Sequence, residues 1–162
     1  MKRFFGVVLV LLVLGVVGCA QIDPAKTKEV PLVSATKITV YIAANATVSG
    51  TLPGGDNVVW AVGELGTALG GTIEFWGARA KALGSYGTAL TAVATDFSGA
   101  SQWGNADKLD FKFVITADNS APAGGVEIND GGNNFSVELT KPLIYQGTTF
   151  STGNPGVTYK WE

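Results

Sequence analysis

From Lys37 to the carboxyl end, apolar side chains recur at every second position in short runs broken by glycine, asparagine and aspartate. A repeat of two is that of an extended chain whose successive side chains point to opposite faces, so these runs predict half-buried strands rather than helices. Ile38, Val40 and Ile42 share one face against Thr39 and Tyr41. After the turn Pro53-Gly54-Gly55-Asp56, the residues Val58, Trp60 and Val62 repeat the arrangement, which assigns Trp60 to the core. Ile73 and Phe75 alternate with Glu74 and Trp76, and Leu90 to Ala94 is a weaker run. The clearest strand is Leu109 to Thr116, with Leu109, Phe111, Phe113 and Ile115 on one face and Asp110 and Lys112 on the other. Val126 and Ile128, then Phe135, Val137 and Leu139, flank Asn129-Asp130-Gly131-Gly132-Asn133-Asn134, whose residues tolerate positive φ, and this predicts a hairpin. Leu143 to Gln146 and Val157 to Trp161 are expected to be closing strands. Gly77 to Tyr86 is expected to be a loop, its alanines suited to at most one turn of helix.

Eight or nine short strands over residues 37–162 suit two packed antiparallel sheets, an all-β sandwich. An up-and-down barrel would show the same periodicity.

The amino end follows a different rule. Lys2 and Arg3 precede Phe4 to Val17, which has no polar side chain, and Val16-Val17-Gly18-Cys19 closes the run with a small residue before cysteine. These residues resemble a bacterial lipoprotein signal peptide and its lipobox, which implies cleavage before Cys19 and lipid on its sulfur. The apolar run is short of the roughly 20 residues that a membrane span needs. Residues 1–18 are thus expected to be a signal peptide, 19–36 a lipidated cysteine and tether, and 37–162 the folded domain. Val30 to Val33 is a candidate edge strand within the tether. The protein is expected outside the cytoplasm, in the bacterial cell envelope, lipid-anchored on the outer membrane or cell surface.

Composition narrows the chemistry. The 162 residues include 22 glycines, one cysteine and no histidine, with 11 basic and 13 acidic side chains. Losing the signal peptide removes Lys2 and Arg3, so the mature part carries about −4. That charge offers no footprint for a phosphate backbone, so nucleic acid is not expected as a partner. Without histidine there is no imidazole base and no His-containing zinc or copper site, and one cysteine makes neither a thiolate cluster nor an internal disulfide. The glycines form no GxGxxG between strand and helix, so no nucleotide site is expected, nor any other cofactor.

The remaining candidates are aromatic. An indole or phenol ring stacks against the C–H face of a sugar, and the four tryptophans and four tyrosines are therefore the residues to weigh. Trp76 alternates away from Ile73 and Phe75, and Trp103 lies in the polar stretch SGASQWGNADK, so both are candidate ligand-stacking residues. Tyr86 and Lys112 are candidate polar partners, and Trp161 is expected to clamp the end of the sandwich. Glu64, Glu74, Asp96, Asp107, Asp110, Glu127 and Glu138 are scattered at strand edges, where solvation explains them, and no pair marks a glycosidase. The Asn129–Asn134 turn lacks the alternating acids of a calcium loop, so no metal site is expected.

The segment DKLDFKFVITADNSAPAGGVEINDGGNNFSVEL, residues 107–139, resembles domains of bacterial outer-membrane starch-binding lipoproteins and, more loosely, starch-binding modules. The matching residues are Phe111-Lys112-Phe113, Gly131-Gly132-Asn133-Asn134 and Phe135-Ser136-Val137, with Val58 to Glu64 similar to an earlier strand. The resemblance covers about a third of the chain. It implies an immunoglobulin-like sandwich that holds α-glucan on surface aromatics without hydrolysing it. The chain departs from the pattern after Gly63, where the family places an asparagine–tryptophan or glycine–tryptophan pair and this sequence has Glu64-Leu65-Gly66-Thr67. The expected function is thus non-catalytic carbohydrate binding by an envelope lipoprotein. The alternative is a structural or adhesive lipoprotein that engages protein partners through its sheet edges.

Overall fold

Period-two runs become strands where one face of each can be buried, and in the computed structural model two such sets of faces meet. The structure describes residues 29–104 and 106–162; the expected signal peptide, Cys19 and the expected tether as far as residue 28 lie outside the described residues. Twelve strands are present among them: β1 (Leu32–Ser34), β2 (Ile38–Ile42), β3 (Val58–Gly63), β4 (Ile73–Phe75), β5 (Ala78–Ser85), β6 (Leu90–Ala94), β7 (Lys108–Thr116), β8 (Val126–Ile128), β9 (Phe135–Glu138), β10 (Thr140–Pro142), β11 (Thr149–Ser151) and β12 (Val157–Trp161). One short helix, α1 (Glu64–Ala68), follows β3 directly.

The smaller of the two main sheets has the order β11-β12-β2-β6, and the larger runs β4-β5-β3-β7-β8, with β9 also paired to β7. All pairings are antiparallel, and β1 with β10 makes a separate two-stranded ribbon. The two main sheets share one core and do not close into a barrel. Ile38, Val40 and Ile42 of β2 and Val157, Tyr159 and Trp161 of β12 face Val59, Ala61, Leu109, Phe111, Phe113 and Ile115 of the larger sheet. Phe111, Phe113 and Phe135 meet with ring centroids 5.4–5.9 Å apart. Each such ring contributes about 1.5–3 kcal/mol on burial, so this trio anchors β9 to the centre of the sheet. Trp161 is fully buried and donates from Nε1 to the Glu138 carbonyl at 3.2 Å.

Three expectations change. Residues Gly77 to Tyr86 are not a loop: they contain β5, which pairs with β3 on one side and β4 on the other. Alanine and glycine are poor strand formers in isolation, but a strand hydrogen-bonded on both sides is set by its neighbours. Small side chains also suit it, because Ala80 and Ala82 flank the bulky Trp60 of β3. The Asn129–Asn134 turn does not reverse the chain into a hairpin. β8 and β9 lie end to end along the same edge of β7, Val126–Ile128 against Phe113–Ile115 and Phe135–Glu138 against Lys108–Phe111. The turn between them is an excursion from one interrupted strand, closed by the Asp130–Asn133 bridge. Leu143 to Gln146 supplies no strand: β10 ends at Pro142, which has no N–H to donate, and Leu143–Tyr145 forms a 3-10 turn.

Trp60 is buried, but not between the sheets. Val59 and Ala61 point into the main core, while Trp60 and Val62 point outward and form a second cluster with Ala80 and Val114, packed by Val58, Ile73 and Phe75. The indole Nε1 donates to Thr116 Oγ1 at 2.8 Å, so its polar atom is satisfied there. The larger sheet is therefore apolar on both faces near β3, and the functional candidates sit on that outer side.

Candidate functional site: an aromatic shelf on the outer sheet face

The shelf is built from the β4–β5 hairpin. Phe75 pairs with Ala78, which leaves Trp76 and Gly77 as a two-residue loop with φ of 53° and 74°. Positive φ at both loop positions is the geometry of the tight hairpin turn whose twist matches its strands, and asparagine–glycine is its usual sequence. Tryptophan at the first position costs on the order of 1–2 kcal/mol relative to an unstrained backbone. The strain puts the indole at the hairpin tip, 54 % exposed.

Two neighbours fix the ring. Phe75 stacks with it at a centroid distance of 4.4 Å and an interplanar angle of 28°, and Lys112 Nζ lies 3.8 Å from its centroid. Lys112 reaches there from the outer face of β7, alongside Val62 of β3. Its ammonium is also hydrogen-bonded to Glu127 Oε1 on β8. Burial alone pushes the Glu127 carboxyl up, but the hydrogen bonds from Lys112 and Asn129 outweigh it and hold the group below its usual range. Lys112 thus spends its charge on Glu127 and the indole and acts to orient the ring.

Trp103 completes the shelf. Its Nε1 donates to the Trp76 carbonyl at 3.2 Å, and its ring lies over Gly63, at the end of β3. A β-carbon at Gly63 would stand 2.6 Å from Cη2 of Trp103 and 2.7 Å from the Asp110 carbonyl oxygen, and the φ of 87° also favours glycine. The next residue, Glu64, is wholly buried. Its two carboxylate oxygens accept from the backbone N–H groups of Trp103 at 3.3 Å and Asp110 at 2.8 Å, which tethers the Trp103 loop to β7. Burial is the largest influence on Glu64 and raises its pKa; the two backbone N–H bonds oppose it and the Asp110 charge adds to it. Glu64 is therefore not the solvated edge residue expected from the sequence. An acid immediately after a strand-ending glycine gave no sign that two orphan N–H groups would converge on it.

Beside Trp76 lies an open cleft of about 280 Å³, lined by Glu74 to Arg79 and Gln102. Gln102 Oε1 accepts from Thr67 Oγ1 at 2.8 Å, and Arg79 donates to the Thr72 carbonyl and pairs with Glu74 at 3.4 Å. Trp76, Trp103 and Lys112, predicted separately, thus meet on one surface. Tyr86 does not join them. It packs against the main core, and its hydroxyl donates to the Ala46 carbonyl at 2.7 Å. No protein family, curated protein or solved structure matches this chain. Among the described residues, no group of three or more acidic, histidine or cysteine side chains is placed to hold a metal ion.

Proposed function

We propose that the chain is a bacterial cell-envelope lipoprotein, held on the outer membrane or cell surface by lipid on Cys19. Its sandwich, immunoglobulin-like in the sense of the starch-binding resemblance, binds carbohydrate of the α-glucan class without hydrolysing it. One observation carries the reading: an exposed tryptophan is kept at a costly positive φ, with its ring oriented by Phe75 and Lys112 and a second indole beside it. Strain retained at an exposed aromatic favours a binding role over a packing role. The cleft beside it brings Glu74, Arg79 and Gln102 within reach of sugar hydroxyls, and its volume is near the lower end of the roughly 300–1,000 Å³ of small-molecule sites. Glu64 is held by two backbone donors, Glu127 by Lys112, and Glu74, which lines the cleft, pairs with Arg79 at 3.4 Å, an arrangement that fits binding without hydrolysis.

The test is calorimetric titration with soluble α-glucan oligosaccharides of the native protein and of Trp76→Asn. Asparagine suits the turn and keeps Gly77 beside it. The variant is expected to keep its unfolding free energy within about 1 kcal/mol while losing at least tenfold in affinity, about 1.4 kcal/mol of binding. Equal affinities of the two proteins, or no heat with any glycan, would overturn the reading.

A further inference from the structure

At the end of the sandwich remote from the β5–β6 turn, the ribbon of β1 and β10 and the 3-10 turn after it carry an exposed apolar surface, on which Tyr145 alone makes a ring contact, with Phe150 at 5.7 Å, among the described residues. Leu32 and Ile144 are each 67 % exposed, and Val30, Leu143 and Tyr145 are also exposed. They are neighbours in space: Leu32 pairs with Pro142, and the Leu143 N–H donates to the Pro31 carbonyl at 2.9 Å. We infer that this tip is a membrane-contacting surface, inserting Leu143, Ile144 and Leu32 into the headgroup–acyl boundary of the bilayer that holds the lipid on Cys19. The inference rests on the lipid-anchor part of the proposed function and not on its carbohydrate part.

Chain length selects a bilayer as the occupant. Nine residues, ten Cα-to-Cα steps, separate Cys19 from Glu29, where the described chain begins, right beside Val30. Fully extended they reach at most about 36 Å, and relaxed they span roughly 17 Å. A nine-residue strand such as β7 is about 30 Å long. A relaxed tether is therefore shorter than the sandwich and holds the Val30 end toward the lipid. The tip itself suits an interface. Leu143, Ile144 and Tyr145 are consecutive on one tight turn, and tyrosine favours headgroup depth. The turn is closed internally: Gln146 N–H donates to the Leu143 carbonyl, and Thr148 N–H to the Tyr145 carbonyl, each at 3.0 Å.

The test uses the full lipidated protein in phosphatidylethanolamine–phosphatidylglycerol vesicles. Ile144→Cys and, at the opposite end, Thr88→Cys are each labelled with an environment-sensitive fluorophore, since lipid on Cys19 blocks the native thiol. Both positions are exposed, so neither label disturbs the core. The label at 144 is expected to shift to the blue and to be quenched by lipids carrying a nitroxide on the acyl chain, while the label at 88 does neither. Vesicle-bound protein with an unquenched label at 144 overturns the inference. A blue shift without lipid quenching, accompanied by a doubled mass in sedimentation, overturns it in favour of a second copy of the chain. A mass spectrum showing Cys19 unmodified defeats the anchor reading itself, and the inference with it.

Discussion

Gly63 sits where two demands meet. It must hold φ at 87°, and it must leave its α-carbon bare so that the Trp103 ring can lie on the backbone. Gly63→Ala is expected to cost about 2–4 kcal/mol in urea unfolding, from strain and displacement of the indole, with a red shift of tryptophan emission in the folded state. Its neighbour Glu64 makes stability depend on pH in an unusual direction. Burial raises its pKa in the folded protein above the ordinary 4.5. The folded state therefore holds this proton more tightly than the unfolded chain does. Its contribution is full below pH 4.5 and is lost as pH rises through the raised value. Asp96, Asp118, Glu127 and Glu162 are shifted downward and act in the opposite direction, so a difference measurement is needed. The stability of the native protein minus that of Glu64→Gln should decline as pH increases from 4 through the raised pKa; a difference that grows over that range would contradict the assignment. Neither role shows in the sequence, where Gly63-Glu64 reads as the end of a strand followed by a solvated acid.

At the level of elements, alternation was legible wherever one face of a strand was apolar and the other polar. β2, β6 and β12 begin and end where the pattern places them, β4 stops one residue short of Trp76, and β7 starts one residue earlier, at Lys108. It failed in three physical situations. β5 is held by partners on both sides and is built from alanines chosen for space beside Trp60, so its own propensity says little. β8 and β9 carry the turn residues of a hairpin, but the phenylalanine trio draws β9 onto the same edge of β7. Leu143 to Tyr145 is apolar without being core. The loops at the far end are joined by Asn154, which no pattern singled out. Its Nδ2 donates to the carbonyls of Thr47 at 2.9 Å and Asn129 at 3.2 Å, while its Oδ1 accepts from the N–H groups of Thr47 and Gly156. Asn154→Ala would strand four backbone groups in a site that is nearly closed to solvent, and a loss of about 2–4 kcal/mol is expected by thermal or urea unfolding. A cost below 0.5 kcal/mol would show that the three loops are held by other contacts.

For the molecule as a whole, the two sheets bury one core between them, and the larger sheet carries a second apolar layer on its outer face. That second layer was hidden in the sequence, because Val58, Trp60 and Val62 have the same alternation whichever face they fill. It supports the hairpin that presents Trp76, and so links sheet architecture to the candidate binding surface. Three of the four residues singled out by chemistry, Trp76, Trp103 and Lys112, meet there, whereas Tyr86 is committed to the core. The four tryptophans divide accordingly: Trp76 is exposed and Trp103 half-buried beside it, while Trp60 and Trp161 are buried with their N–H groups bonded to Thr116 and Glu138. Each indole N–H gives its own signal in a nitrogen–proton correlation spectrum, so one titration with a soluble α-glucan oligosaccharide addresses the central claim residue by residue. The Trp76 and Trp103 signals are expected to move in a saturable way while those of Trp60 and Trp161 stay fixed; four stationary signals, or movement confined to the buried pair, would contradict the account.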